Sequence, residues 1–400
     1  MYKMKAMYKE NIDAFGLFND SYPPMMDGVA VAVHNYAFWL NKKGENVKVV
    51  TPKTAEKIQK EDFEVLRYTS LPLVNRKPYR LGIPYVDVNF LNRLFIKSGF
   101  KLVHAHCPFS SGHLALHTSK IQKIPFVATF HSKYRDDFER ATKSLKAANA
   151  VLKTVMPFFD HADEVWIPQA AVEETIREYG YKGKVEVVDN GTDFVTDEPI
   201  ERVKLKAKKK INIPESDFVF LFVGQHIWEK NTKMIIEALD LLRDLPYQMF
   251  FVGAGYAAED MQQMVIAREL EHKIFFKGSI YDREVLKAYY AAADLFLFPS
   301  LYDNAPLVVR EAAALHTPAI ITAGSTTSEI ITDNFNGFLI ENTAIALAEK
   351  IRTIIQNKSL LSAVGDNASK TVAHSWENIT NEVLDRYKHL IARKSNETAM

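Results

Sequence analysis

Short apolar runs ending at glycine, proline or a polar residue recur along this chain, each separated from the next by a stretch at helical spacing. In the second half they read "FVFLFVG" (218–224), "YQMFFVG" (247–253), "KIFFKG" (273–278), "ADLFLFP" (293–299), "PAIIT" (318–322) and "GFLI" (337–340). The first half repeats the scheme with "AFGLF" (14–18), "NVKVV" (46–50), "FEVLR" (63–67), "LVHAH" (102–106), "PFVATF" (125–130), "EVWIP" (164–168) and "VEVV" (185–188). Stretches 29–43, 110–121 and 134–160 lie between them at helical spacing. Strands that alternate with helices imply parallel sheets covered on both faces. Two such sets imply α/β architecture with two doubly wound, Rossmann-like domains. The boundary is expected near "VDNGTDF" (188–194), where Asn-Gly marks a turn before the charged stretch 197–212. That gives an N-terminal domain of residues 1–190 and a C-terminal domain of 191–374. Residues 375–394, "SWENITNEVLDRYKHLIARK", read as a long amphipathic helix, and 395–400 as a disordered tail.

A chain of 400 residues suits two domains rather than one core. No apolar run approaches the ~18 residues of a membrane-spanning helix, and the N-terminus lacks the apolar stretch of a signal peptide. The single cysteine, Cys107, excludes an internal disulfide and a cysteine-based zinc cluster and fits a reducing compartment. The expectation is a cytoplasmic protein. The net charge of +1 hides an asymmetry: residues 66–155 hold 15 basic against 4 acidic side chains. Such a block either meets an anionic partner or forms the solvated face of ordinary helices.

In open parallel sheets, ligands bind beyond the carboxyl ends of the strands. Every chemically loaded stretch here follows a strand: "NDSYPPMMDGVA" (19–30), "HAHCPFSSG" (104–112), "FHSKYRDDF" (130–138), "GQHIWEKN" (224–231), "GAGYAAE" (253–259) and "SLYDNAP" (300–306). "GAGYAAE" lacks the third glycine of a dinucleotide loop and is weak evidence for one. In 300–311, Asn304 reads as an N-cap and Pro306 as a first-turn residue. The N–H groups of Leu307 and Val308 then suit a phosphate. Glu311 could accept from a ribose diol and Asp303 from a second polyol. Alone, the two acids read equally well as a cap and a surface residue. Lys230 could neutralise a diphosphate, and His131, beside Lys133 and Arg135, could bind a sugar or stabilise developing charge.

Together these stretches resemble the family 4 glycosyltransferases of the GT-B fold, from about residue 14 to residue 390. The resemblance rests on the loop at 22–29, "V-H-x-H" (103–106), "T-F-H" (129–131), "N-G-x-D" (190–193), "E-K-N" (229–231), "A-D-x-x-x-x-P-S" (293–300) and two acids eight positions apart, the second opening "E-A-x-A-x-x-T-P" (311–318). It implies two facing Rossmann-like domains, with the last helix packing back on the first. It also implies retaining transfer of a hexose from a nucleotide-diphosphate sugar, a UDP-sugar in the first instance, with no cofactor and no metal. By motif, Gly28 lies against the donor, His131 near the reacting sugar carbon, Lys230 and Gln225 on the diphosphate, Asp303 on the sugar and Glu311 on the ribose. Leu307 and Val308 complete the donor site, and His106, Lys133, Tyr134 and Arg135 are the acceptor-side candidates.

The chain departs from the family pattern in four places. Aspartate stands at 303 for glutamate, Gln225 (or His226) for arginine, Pro306 for glycine and Asp27 for glycine. The basic first half, including Arg76, Lys77, Arg80, Arg93, Lys97 and a candidate amphipathic helix over 134–155, resembles a peripheral membrane surface on the inner face of the cell membrane. The overall look is close to bacterial diacylglycerol glycosyltransferases, so a membrane lipid is the expected acceptor and no nucleic acid is expected. A soluble or polysaccharide acceptor, a binding protein without transfer activity, and an epimerase of similar fold remain as alternatives.

Overall fold

A computed structural model describes residues 13–25, 27–56, 60–72 and 80–399. The chain divides into two compact units, Met1–Asn190 with Trp376–Met400, and Gly191–Ser375. Arg76 and Lys77 of the basic block lie outside the described residues.

The first unit holds β1 (Ala14–Phe18), β2 (Asn46–Pro52), β3 (Glu64–Tyr68), a short hairpin of β4 (Ser70–Pro72) and β5 (Arg80–Gly82), then β6 (Phe100–Ala105), β7 (Phe126–Thr129), β8 (Glu164–Ile167) and β9 (Val185–Val187). Seven of these form one sheet in the order β3-β2-β1-β6-β7-β8-β9, every neighbouring pair parallel. The second unit holds β10 (Val219–Val223), β11 (Gln248–Val252), β12 (Ile274–Gly278), β13 (Leu295–Leu297), β14 (Ala319–Thr322) and β15 (Phe338–Ile340). Its parallel sheet runs β12-β11-β10-β13-β14-β15. In both sheets the chain moves outward one way from the first strand, then returns to its other side. That reversal leaves a crevice beyond the ends of β1 and β6, and another beyond β10 and β13, where this class of sheet binds ligands. β1, β10 and β13 are buried along their whole length, which is why they read as unbroken apolar runs.

Helices follow the strands, with local differences from the sequence reading. The span 134–155 is two helices, Tyr134–Thr142 and Leu145–Val155. Lys143 adopts a left-handed conformation at φ 55° and ends the first, and Ser144 caps the second through the Ala147 N–H. The charged stretch contains the helix Ile200–Lys210. The last helix runs Trp376–Ala399, through most of the span expected to be a disordered tail. An Arg393–Glu397 pair one turn apart and a Ser395 hydroxyl donating to the Ile391 carbonyl support that end.

This last helix completes the first unit's core. Trp376 is buried edge-on to Tyr36. Tyr387 stacks on Trp166 at 5.6 Å and lies 5.0 Å from the Phe15 ring. Its hydroxyl is 2.6 Å from His104 Nδ1, whose other nitrogen is 2.6 Å from Thr129 Oγ1. Arg386 pairs with Glu186 and Lys394 with Asp163 at the helix flanks. Tyr387→Phe keeps the ring but leaves His104 Nδ1 buried without a partner, a change worth about 1–3 kcal/mol. The urea midpoint should fall accordingly; an unchanged midpoint would show that the hydroxyl contributes nothing.

Candidate active site

The crevice of the second unit is built from the loops after β10 and β13. Lys230 ends a short 3-10 turn, Trp228–Lys230, just before the helix Thr232–Asp240. Its Nζ lies 2.7 and 2.8 Å from the two carboxylate oxygens of Asp303. Lys230 is 7% exposed, so the ammonium is held by this pair rather than by water. Ser300 Oγ donates to Asp303 Oδ2 at 2.6 Å, which fixes the carboxylate from its own loop. Asn231, left-handed at φ 58°, donates to the Pro299 carbonyl at 3.0 Å and ties the two loops together.

The helix after Asp303 starts at Leu307 and runs to Ala314. Its cap position belongs to Pro306, which makes no side-chain hydrogen bond, and not to Asn304. Proline fits because its extended ψ of 125° and fixed φ of −69° suit the residue just outside a helix. Leu307 and Val308 are therefore the first two helical residues, whose N–H groups have no acceptor within the helix.

Gln225 and His226 differ in direction. Gln225 is exposed, whereas His226 is buried among Phe222, Phe251 and Phe276. Burial pushes the His226 imidazole down to about 4. The glycines of "GAGYAAE" serve this packing. A Cβ on Gly253 would lie 1.9 Å from the Gly224 carbonyl oxygen, and one on Gly255 2.2 Å from that of His226. They let two loops touch.

Glu311 lies within the same helix at 5% exposure. Arg283 Nη2 donates to its Oε1 and the Tyr290 hydroxyl to its Oε2, both at 2.8 Å. Neither partner stands out in the sequence. Arg283 looks like one more charged helix start, and Tyr290 like a core aromatic.

In the first unit, Asp20 organises the crevice end of β1 and β6. It accepts from the N–H groups of Ser110 and Ser111 and from the Tyr68 hydroxyl. Asp27 caps the helix Gly28–Lys42 by accepting from the Ala30 N–H at 2.8 Å, which accounts for an acid where the family has glycine. Gly28 is exposed, and a Cβ there would meet nothing within 4 Å. After β6 and β7, His106 Nδ1 lies 3.0 Å from His131 Nε2, with the rings stacked 5.3 Å apart. The His106 ring in turn lies 4.0 Å from that of His104, tilted by 32°. Burial lowers all three imidazoles, His131 to about 4. Tyr134 is buried against Phe109, Phe130 and Phe138. Arg135 pairs with Glu178 at 2.6 Å and lies over the Tyr179 ring. Lys133 is half-buried at the start of helix Tyr134–Thr142. Thus His106 joins His131, and Lys230 joins Asp303, while Tyr134 and Arg135 are engaged in packing and pairing of their own.

Among the described residues, no three His, Cys, Asp or Glu side chains are grouped to hold a metal, and no helix is long and apolar enough to cross a membrane.

The neutral histidines imply a pH dependence. Unfolded imidazoles take up a proton near 6.5, whereas His131 and His226 resist it until about 4. In that window the unfolded chain binds more protons. Stability is therefore full above pH 6.5 and falls as pH drops toward 4, by up to about 1.4 kcal/mol per pH unit for each such group. His226→Phe should flatten part of this slope in urea unfolding between pH 7 and pH 5; an unchanged slope would contradict a neutral buried His226.

Residues 26–195 match the family described as Glycosyltransferase Family 4, and residues 203–371 the one described as Glycosyl transferases group 1. The chain is 26% identical over 332 residues to the alpha-monoglucosyldiacylglycerol synthase of Streptococcus pneumoniae, covering 81% of this chain and 74% of that one. It is 24% identical over 404 residues to the protein of the same name from Acholeplasma laidlawii, covering 95% and 99%. Among solved structures, sucrose-phosphate synthase from Thermosynechococcus elongatus shares the fold at a TM-score of 0.77 and 21% identity, over 95% of this chain and 100% of that one. Anabaena HepE in complex with UDP and glucose does so at 0.74 and 17%, over 94% and 99%. With both halves matched in sequence and both sheets matched in fold, the chain belongs to the family 4 and group 1 glycosyltransferases of the GT-B fold.

Proposed function

We propose that this glycosyltransferase moves a hexose, glucose in the first instance, from a UDP-sugar to a hydroxyl of a membrane lipid such as diacylglycerol, with retention of anomeric configuration and without a metal. The observation that carries the donor half is the buried Lys230 at the crevice of the second sheet, beside a helix start with no side-chain cap. An ammonium has three donors. Two go to Asp303, and the third is assigned to the diphosphate, together with the N–H groups of Leu307 and Val308. Glu311 takes the ribose and Asp303 the sugar hydroxyls. Gln225 is an uncharged lining residue, so Lys230 carries more of the diphosphate charge here than in a family member with an arginine beside it. The complex of Anabaena HepE, a protein of the same fold, with UDP-glucose supports this reading.

In the transfer step, the bond between the sugar anomeric carbon and the leaving phosphate oxygen breaks. The acceptor oxygen bonds to that carbon on the same face, and the acceptor proton passes to the leaving phosphate. His131, held neutral by burial, suits a hydrogen bond to the sugar rather than a fixed positive charge. His106 orients it through the 3.0 Å contact, and Lys133 is assigned to the acceptor side, with Tyr134 and Arg135 anchoring the helix that follows it.

The relatives named as monoglucosyldiacylglycerol synthases support the lipid acceptor. So does the first unit's surface, where exposed Leu81, Val86, Val88 and Ile96 are interleaved with Arg80, Arg93 and Lys97. A peripheral position on the inner face of the cell membrane follows from that reading.

Full-length protein incubated with UDP-glucose and diacylglycerol in mixed micelles should form an α-linked glucolipid. Transfer to soluble hydroxyl acceptors with none to lipid would refute the lipid half. Lys230→Ala should lower kcat/KM by about 10²–10³, as loss of a charge-stabilising donor does elsewhere; full activity would refute its role. Gly28→Ala adds a Cβ that would meet nothing within 4 Å. It should keep the wild-type urea midpoint yet raise the donor KM, and an unaltered KM would remove Gly28 from the donor site.

A further inference from the structure

The N-G-x-D stretch at 190–193 takes no part in the function proposed above, yet its aspartate is tied to the candidate nucleotide site. Arg283, the first residue of the helix Arg283–Ala292, donates from Nε to Asp193 Oδ2 at 3.1 Å and pairs through Nη2 with Asp193 Oδ1. The same Nη2 reaches Glu311 Oε1 at 2.8 Å. The guanidinium lies 4.2 Å from the centroid of the Phe194 ring, so one of its faces is covered. Tyr290 completes the group by donating to Glu311 Oε2 at 2.8 Å.

Glu311 is thus gripped on both oxygens while 5% exposed. A carboxylate offers about four acceptor positions, and two are filled from within the protein. The remaining two lie one on each oxygen. A vicinal diol is the ligand group whose two O–H donors match them. One guanidinium serves both carboxylates, so Asp193 and Glu311 are tied to a single cation. Burial pulls the Arg283 guanidinium down, but Glu311 and Asp193 more than reverse this and push it above its usual value, so its charge is permanent.

We propose that Arg283 is a positioning residue which, with Tyr290 and anchored by Asp193, sets Glu311 as a two-oxygen acceptor for the ribose diol and so selects ribonucleotide over 2′-deoxyribonucleotide donors. The inference rests on the reading of Glu311 as the ribose carboxylate. An arginine that only stabilised the fold would change the unfolding midpoint and leave the sugar preference alone.

The test is calorimetric titration of full-length protein with UDP and with 2′-deoxy-UDP, on wild type and on Arg283→Met, Arg283→Lys, Tyr290→Phe and Glu311→Gln. Wild type should prefer UDP. Arg283→Met should weaken UDP binding about tenfold with little change for 2′-deoxy-UDP, collapsing the preference. Arg283→Lys, which keeps the charge, should restore part of it, and Tyr290→Phe should lose part. If Arg283→Met does not fold, the lysine and phenylalanine variants read the same ratio. If Glu311→Gln abolishes the preference and the Arg283 variants retain it in full, the positioning role is wrong and the ribose reading stands. Equal weakening for both nucleotides in the Arg283 variants assigns Arg283 to folding alone and overturns the proposal. A Glu311→Gln protein with wild-type preference removes the ribose reading, and the proposal with it.

Discussion

A lysine ammonium buried as deeply as Lys230 needs a carboxylate beside it, because desolvating an unpaired charge costs several kcal/mol. That requirement joins two loops 73 residues apart in sequence. It can be met because β10 and β13 are neighbours at the point where the sheet reverses direction, so their following loops leave side by side. Ser300 and Asn231 then fix the two loops around the pair. The helix Leu307–Ala314, and Glu311 with it, follows directly on the loop that Asp303 anchors. Aspartate in place of the family's glutamate reads as a choice of reach: here the shorter side chain meets Lys230 with both oxygens.

The two units prepare their ligand ends by different physics. The second relies on full charges paired at low exposure. The first relies on neutral imidazoles in mutual contact, His104 with His106 and His106 with His131, and on Tyr387 hydrogen-bonded to His104. Charged pairs hold geometry through electrostatics that salt and substitution disturb. A neutral cluster holds it through shape and single hydrogen bonds and is disturbed by protonation.

The strands were legible because both faces of each sheet are covered, so burial leaves nothing polar in β1, β10 or β13. The pairing of Lys230 with Asp303 was not, since each residue type in its loop suits a ligand as well as it suits the other. Arg283 and Tyr290 carry no local signal; only the fold brings them to Glu311. The direction of His226 also escapes the sequence, because successive residues in an irregular loop have no fixed period. Asn304 is a better generic cap than Pro306, but the loop geometry puts the helix start two residues later. The break at Lys143 rests on a left-handed lysine, a conformation that residue type rarely signals. The short hairpin β4–β5 has too few residues to show a pattern.

The first unit is discontinuous. Its core includes Trp376 and Tyr387, which come after the whole of the second unit. On the ribosome, the N-terminal sheet emerges first but lacks one flank of its core until synthesis is nearly over. The second unit, Gly191–Ser375, is contiguous and can complete its own packing earlier. The order of completion is therefore the reverse of the order of translation. A chain that stops short of residue 376 lacks Trp376 and Tyr387 and leaves their apolar partners uncovered in the very unit whose finished form also carries exposed apolar side chains among basic residues.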